Sequence, residues 1–422
     1  MKGICAGLQE MEIKMKTLKK SSTVVFVLLI LSLSCSSNVV VAENCWIGTW
    51  AGGQQLAESR NNPPLPYLAN NTLRQVVRAT LGGSRIRVKF SNKYSSGPIT
   101  INSAHIAVST GGSSIDTGTD TALAFGGSVS VTIPAGQEIY SDAVDFNVAP
   151  LSNLAVSIYF GSASSTNVTG HPGSRTDSYI KTGDAVSTNF TPDGTKANWW
   201  ILSGIDLWLD DSYATVVTLG DSITDGRGST TNGNNRWPDN LAWRLQTNPD
   251  TAKIGVLNQG IGGNAVVSGG LGPTALKRFD HDVCQQDGVR WVIILEGVND
   301  IGGSRSPKVA GDLIAAYEKL IDKAHAHDIL VYGVPILPFG DSFYDGEEHE
   351  AARQEVNKWI RTSGRFDAVI DLDAAVRDPA NPTRLLPEYD CGDHLHLSVA
   401  GYQKMAEAIK LDLFEHEKAV NQ

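Results

Sequence analysis

Cysteine is scarce in this 422-residue chain, with five residues in all. There is no CxxC pair and no HExxH run, so the sequence encodes neither a disulfide scaffold nor a familiar zinc site. The pairs His325/His327 and His394/His396 have i,i+2 spacing, which turns the two rings apart on a helix. We expect no metal and no cofactor. A surplus of positive charge is also missing: 45 acidic against 35 basic side chains leave a formal charge of −10. Without a basic stripe to hold a phosphate backbone, nucleic acid is excluded as a partner. Charged residues are only 19% against 41% hydrophobic, and the 42 glycines follow no G-X-Y period, which excludes disordered polyampholyte and collagen-like chains. Long apolar runs are lacking as well. The stretch Val24 to Leu33 is about half the ~20 residues a membrane-spanning helix needs.

That short run has another use. Lys16, Lys19 and Lys20 precede it and Val40-Val41-Ala42 follows with small side chains, the layout of a cleaved export signal over residues 1–42. A secreted, extracellular protein is the expectation. Cleavage leaves Cys45, Cys284 and Cys391, enough for one intramolecular disulfide at most. The sequons at Asn70, Asn167 and Asn189 are compatible with secretion. Oligomeric state is not encoded in any pattern we can read.

From 43 to 210 the periodicity is that of strands. Arg85-Ile86-Arg87-Val88-Lys89-Phe90 alternates strictly, and similar runs at 72–79, 99–108, 129–133, 143–148 and 154–160 are separated by Gly, Ser, Pro and Asn. With no helical pattern between them, an antiparallel β-sandwich of jelly-roll type is expected. Two readings stand for this domain, a carbohydrate-binding module and a structural cover for the rest of the chain; the nine tryptophans form no planar row of the kind glycan-binding modules expose, which favours the cover. His171 and Tyr179, in the long loop after the last clear strand, have the reach to enter a cleft, but the reading preferred for both is that of ordinary loop residues.

From 211 to 422 continuous apolar strands alternate with amphipathic helices, the pattern of a parallel sheet covered on both faces. Five strands are expected at 215–219, 254–258, 291–296, 329–334 and 368–372, with helices at 310–327, 348–362 and 398–414 and Pro238 early in the helix after the first strand.

Ligands of such sheets bind beyond the carboxyl ends of the strands. Strand one runs into Gly220-Asp221-Ser222, strand two into Gly260-Ile261-Gly262-Gly263-Asn264 and strand three into Gly297-Val298-Asn299-Asp300, while Asp393-His394-Leu395-His396 precedes the last helix. A serine hydroxyl needs an imidazole to take its proton as it attacks, and the imidazole needs a carboxylate to orient it. Ser222, His396 and Asp393 can fill these roles, Asp393 and His396 sharing one face of a turn at i,i+3. An oxyanion would be met by the backbone N–H groups of Ser222 and Gly263 and the side-chain amide of Asn299. Asp221, Asp225, Glu296 and Asp300 read as structural hydrogen-bonding groups.

These four blocks, in this order, resemble those of the SGNH, or GDSL, hydrolase superfamily over about Ala214 to Leu413. The resemblance implies a flavodoxin-like three-layer α/β/α domain, a Ser-His-Asp set and an oxyanion hole, with roles for Ser222, Gly263, Asn299, Asp393 and His396. A narrower resemblance, carried by Trp46 to Trp50, Thr72 to Arg78, Thr169-Gly170-His171-Pro172-Gly173 and Arg377-Asp378-Pro379, is to two-domain secreted GDSL-type esterases, relatives of which occur in xylan-degrading systems. Such relatives favour Pro-Asn after the catalytic histidine, where this chain has Leu397-Ser398.

The expected function is therefore a secreted serine esterase acting on a small-molecule or carbohydrate ester. Two other readings are a GDSL lipase or phospholipase for longer acyl chains and a non-catalytic glycan-binding protein on the same fold; the presence of Ser222, Asp393 and His396 together speaks against the second. No apolar lid segment stands between the blocks, and the loop from Pro338 to His349 is acidic and glycine-containing, so no groove for a long acyl chain is expected. Cys284 precedes strand three and Cys391 follows the sheet's other end, so no bridge between them is expected.

Overall fold

The computed structural model describes residues 43–415. The signal-peptide reading of 1–42 lies outside them. The architecture changes between Asp210, the end of the last long antiparallel strand, and Ala214, the start of the first parallel one.

The all-β part contains two main antiparallel sheets. One runs Asn44–Ala51, Leu202–Asp210, Gly83–Ser91, Val144–Val148; the other is built around Ser178–Thr182, Asn71–Arg78, Asn153–Phe160 and Ile99–Gly111. Ile86, Val88 and Phe90 of the first sheet share one core with Leu73, Val156, Ile158, Ile101 and Ile106 of the second, so the sheets pack face to face as the alternation requires. The strand Leu202–Asp210 has no alternating signal because most of it is buried on both faces, with Asp206 held by Arg87 at 2.9 Å. A third, small sheet, Trp199–Trp200, Thr169–His171 and Gln55–Leu56, stands apart from the two.

The α/β part has five parallel strands, β1 Ala214–Gly220, β2 Ile254–Gly260, β3 Val289–Leu295, β4 Leu330–Gly333 and β5 Ala368–Val369, in the order β2-β1-β3-β4-β5. This is the flavodoxin-like doubly wound order. Alternate residues face opposite layers. Val217, Leu219, Val292 and Ile294 pack with Leu313, Leu320 and Val356, from helices Val309–His325 and Glu347–Thr362. Val216, Trp291 and Ile293 pack with Leu241, Leu245, Tyr402 and Met405, from helices Trp237–Thr247 and Val399–Ala408.

Two elements are shorter than their apolar patterns suggest. β5 stops at Val369 because Asp371 caps a new helix, Leu372–Val376, by accepting the Ala374 N–H at 2.9 Å. The last helix, capped by Ser398, ends at Ala408, where the Arg244 guanidinium takes the carbonyls of Ala406 and Ile409. The following turn, Leu411–Phe414, instead folds Phe414 edge-on against Trp291 and Tyr332.

The described residues, 43–415, belong to one compact unit. Gly48 N–H donates to the Asp287 carbonyl at 2.9 Å, Thr80 Oγ1 accepts the Val256 N–H at 3.1 Å, and Arg87 pairs with Asp287 at 2.5 Å, each joining the all-β part to the α/β part. Cys45, Cys284 and Cys391 are all free.

Candidate active site

β1 delivers the chain to Asp221, whose carboxylate accepts the Ile223 N–H at 2.9 Å and caps the short helix Ser222–Asp225. Ser222 is thus the first residue of a helix at the carboxyl edge of the sheet. Its hydroxyl lies 2.7 Å from His396 Nε2, and His396 Nδ1 lies 2.7 Å from Asp393 Oδ2. Because Nδ1–H donates to the carboxylate, Nε2 is the acceptor for the serine proton. Asp393 Oδ1 also accepts the Leu395 and His396 N–H groups, at 3.1 and 2.8 Å, which fixes the turn that the i,i+3 spacing implied.

The electrostatics suit a neutral base. Burial lowers the His396 pKa from its ordinary value; Asp393 opposes the shift, while the charges of Arg227 and Arg175 add to it. Burial works to raise the Asp393 carboxyl, but hydrogen bonds from the His396 backbone and ring outweigh it and hold it at about 2. At neutral pH the carboxylate is ionised and the imidazole is free to accept a proton.

Ser222, Gly263, Asn299 and His396 line one open cavity of about 350 Å³, with Asp393 behind the imidazole. Gly263 has φ +73, a left-handed conformation that a side chain would strain, and a Cβ there would press on Leu271. The Asn299 amide donates one N–H to the Asn264 carbonyl at 2.7 Å, and its Oδ1 accepts the Tyr344 hydroxyl at 3.0 Å. With its oxygen held this way, the amide is fixed in orientation and its second N–H is left for a ligand. Asp300 accepts the Val266 and Val267 N–H groups at 2.7 and 2.9 Å, tying the loop after β2 to the turn after β3.

Beneath the site lies Arg278, which the sequence pattern does not distinguish from any other helical arginine. It is fully buried and donates to the Gly220 and Gln259 carbonyls, Asn264 Oδ1, Asp282 and Glu296. One cation thereby pins the ends of β1 and β2 and the loop carrying Gly263. Asp221 and Glu296 are pushed up by burial, with neighbouring carboxylates adding to it: Asp300 beside Asp221, and Asp221 beside Glu296.

The all-β part reaches the cavity where loop residues were expected. His171 ends a strand of the small sheet, is 3% exposed and stacks on Trp199, and it is not an ordinary loop side chain. Its Nδ1–H donates to the Gly53 carbonyl at 2.7 Å, and Nε2 lies 2.9 Å from Asp225 Oδ1, at the far end of the Ser222 helix. The neighbouring Gly173 sits so close to Asp225 that a Cβ would stand 1.7 Å from Oδ2. The segment Gly170-His171-Pro172-Gly173 therefore docks onto the helix bearing Ser222, a contact hidden in sequence by the 51 positions between His171 and Ser222. Tyr179 lies in strand Ser178–Thr182 and lines a different cavity, with Asn232 and Asn234.

A second expectation also changes. The loop 338–349 supplies Phe343 and Tyr344 to the cavity, where they join Ile261, Leu271 and Leu395. Apolar surface is present there, because two of the loop's three aromatics, Phe343 and Tyr344, line the cavity, while the third, Phe339, is buried in the core. Among the described residues, Asp390, Cys391 and Asp393 have potential metal-ligand atoms within 4.8 Å of one another. Asp390 is engaged by His394 at 2.6 Å and Asp393 by His396, so these carboxylates already have partners.

A serine, an imidazole and a carboxylate in line beside convergent N–H donors can carry out acyl transfer, and the class is that of carboxylic ester hydrolases. Residues 218–404 match the GDSL-like Lipase/Acylhydrolase family, so this stretch is a GDSL-like acylhydrolase domain. None of the curated proteins matches the chain. Among solved structures, the chain is similar to a family two carbohydrate esterase from Clostridium thermocellum in complex with cellohexaose (13% identity, 87% of this chain and 100% of that one, TM-score 0.38). It is also similar to an acetyl xylan esterase from Geobacillus stearothermophilus (22% identity, 46% and 92%, TM-score 0.36). A third likeness is to a carbohydrate acetylesterase from Sinorhizobium meliloti (16% identity, 46% and 95%, TM-score 0.37).

Proposed function

We propose that the protein is a secreted serine esterase that hydrolyses short-chain carboxylic esters of small alcohols or sugars through an acyl-enzyme on Ser222. The observation that carries this reading is the continuous 2.7 Å chain from Ser222 Oγ to His396 to Asp393, opening onto a cavity that also holds Gly263 and Asn299. Ser222 Oγ attacks the ester carbonyl carbon while His396 Nε2 takes its proton; the carbonyl π pair moves to oxygen, where the N–H groups of Ser222, Gly263 and Asn299 meet it. Collapse breaks the bond to the alcohol oxygen, which receives the proton from His396. Water then attacks the acyl-serine with His396 again as acceptor, the acid leaves, and the proton returns to Ser222 Oγ.

Secretion rests on the basic and apolar pattern of residues 1–42; among the described residues no helix is long and apolar enough to cross a membrane. We assign 43–210 to an accessory sandwich and 211–422 to the catalytic domain. The short-acyl preference rests on the cavity lining, where five apolar or aromatic side chains, Ile261, Leu271, Phe343, Tyr344 and Leu395, share the wall with Gln55, Glu58, Asn61 and three arginines.

The test is a chromogenic ester series from acetyl to dodecanoyl on wild type and Ser222→Ala. We expect kcat/KM to be highest between acetyl and butyryl, and Ser222→Ala to lose about a thousandfold or more while remaining folded by circular dichroism. Wild-type turnover in folded Ser222→Ala would sink the nucleophile assignment, and a maximum at dodecanoyl would make the protein a lipase.

A further inference from the structure

The oxyanion side of the site is tied to the all-β part by an unbroken run of hydrogen bonds that no step of acyl transfer itself uses. It starts at Glu138, in strand Glu138–Tyr140 of the all-β part, whose Oε2 lies 2.7 Å from His281 Nε2. His281 Nδ1 lies 2.6 Å from Asp282 Oδ1, and Asp282 Oδ2 accepts from the Arg278 guanidinium at 2.9 Å. Arg278 Nε donates to Asn264 Oδ1 at 2.9 Å, and the Asn264 carbonyl accepts the side-chain amide of Asn299 at 2.7 Å. The run thus leads from a carboxylate of one fold to an oxyanion donor of the other, and His281 is the residue that crosses between them.

The geometry fixes the charge of that ring. A carboxylate only accepts hydrogen bonds, so a ring with a carboxylate oxygen at each nitrogen satisfies both by donating twice, as an imidazolium. Burial works to raise the Glu138 and Asp282 carboxyls, but the bond and charge of His281 on each, with Lys89 beside Glu138 and Arg278 beside Asp282, bring both below their ordinary values. Burial likewise works to lower the His281 pKa, and the bonds and charges of Asp282 and Glu138 outweigh it and raise it to about 9. The other charged groups around the turn are accounted for. Lys89 stands 3.5 Å from the same Glu138 oxygen, and Tyr94, its hydroxyl kept neutral by burial, lies in the field of Asp282, Arg278 and Glu138. On the turn itself Asp280 pairs with Lys323 at 2.8 Å, and Lys277 on the preceding helical turn is exposed. Of the strands packed against it, β1 carries no charge and β3 only Arg290, which donates to the Asp211 carbonyl. A neutral ring would turn a lone pair toward one carboxylate and lose one of its two bonds.

We propose that His281, as an imidazolium bridging Glu138 and Asp282, is a positioning residue for ester hydrolysis: it holds Asp282 on Arg278 and so fixes Asn264 and the Asn299 amide where the oxyanion forms. The proposal rests on the serine esterase reading. The test is the pH dependence of kcat and KM for a neutral acetyl ester between pH 6 and 10 on the full chain, with circular dichroism at each pH. We expect wild-type kcat to fall about tenfold through an alkaline limb, with KM held within about twofold and the fold retained, because oxyanion donors act where charge develops. That limb should lie near pH 9. His281→Gln should show the lowered kcat throughout and no limb. Glu138→Gln keeps an acceptor for Nε2–H but removes its charge, so the limb should move to lower pH; Lys89→Gln removes a cation beside Glu138, so the limb should persist and move to higher pH. If His281→Gln does not fold, these opposite displacements decide alone. A limb that survives in folded His281→Gln, stays put in Glu138→Gln or vanishes in Lys89→Gln overturns the assignment, as does an effect confined to KM. Wild-type turnover with no alkaline limb overturns this proposal and leaves the esterase reading standing; no turnover at pH 7 overturns the esterase reading and this proposal with it.

Discussion

Ser222, Gly263, Asn299 and His396 stand at the carboxyl edge of the parallel sheet, whereas Gln55, Glu58, Arg60, His171 and Arg175, which line the same cavity, come from the all-β part. The first set is held by backbone and by one buried cation, Arg278, and its positions follow from where strands end. The second set reaches the cavity on a small three-stranded sheet and the turns beside it, at sequence positions 47 to 167 residues before Ser222. One part carries the serine, imidazole and carboxylate, and the other supplies part of the wall of the same cavity.

Removing the wall should have the largest effect. A chain beginning at Asp211 would uncover surface now shielded by Leu81, which is fully buried beside Gly255, and by Ile47, which packs on Gly288. It would also free Asp225 of His171 and Arg175. Each exposed apolar side chain costs about 1.5–3 kcal/mol, against a total stability of about 5–15 kcal/mol for a typical domain. We expect aggregation or complete loss of acetyl-ester turnover, measured by size-exclusion chromatography and assay. A monomeric, fully active 211–422 fragment would break the comparison, since the all-β part would then be a separable module.

Next in size is Asn299→Ala, which removes a reaction group of the α/β part. The expected loss is about a hundredfold in kcat with KM little changed, because the amide is needed where charge develops. A loss confined to KM would place Asn299 in substrate binding instead.

The legibility of the site follows the same division. Ser222, Gly263, Asn299, Asp393 and His396 could be read from the sequence because each sits in a short block at a strand end or helix start, and local geometry makes the block. The five parallel strands were legible for a similar reason, as apolar runs buried on both faces. Leu202–Asp210 was not, because burial on both faces leaves no period to detect and no helical pattern precedes it to mark a βαβ strand. His171 was misread because its role depends on Asp225 and Trp199, partners 54 and 28 positions away, and no local pattern marks such a contact. Arg278 and Tyr344 were invisible for the same reason: their partners, Gly220 and Asn299, are 58 and 45 positions away.

The smallest effect tests whether the two parts are electrically separate. His396 must be neutral to accept the serine proton, so kcat/KM should fall on acidification as the ring protonates. Burial sets the lowered pKa first and the charges of Arg227 and Arg175 lower it further, so the acid limb should lie below the ordinary histidine value of about 6.5. Arg175 belongs to the all-β part. Replacing it with Gln removes a positive charge that disfavours the imidazolium, so the His396 pKa should rise and the acid limb move to higher pH by a fraction of a unit. Arg175→Lys keeps the charge and should leave the limb near its wild-type position, which separates the field of the charge from loss of the bond to Asp225. The measurement is kcat/KM for a neutral acetyl ester between pH 4 and 8, with substrate well below saturation. If Arg175→Gln and Arg175→Lys move the limb equally, the lost Asp225 contact is responsible and the all-β part acts by geometry alone; if only the Gln variant moves it, the wall also tunes the base across the domain boundary.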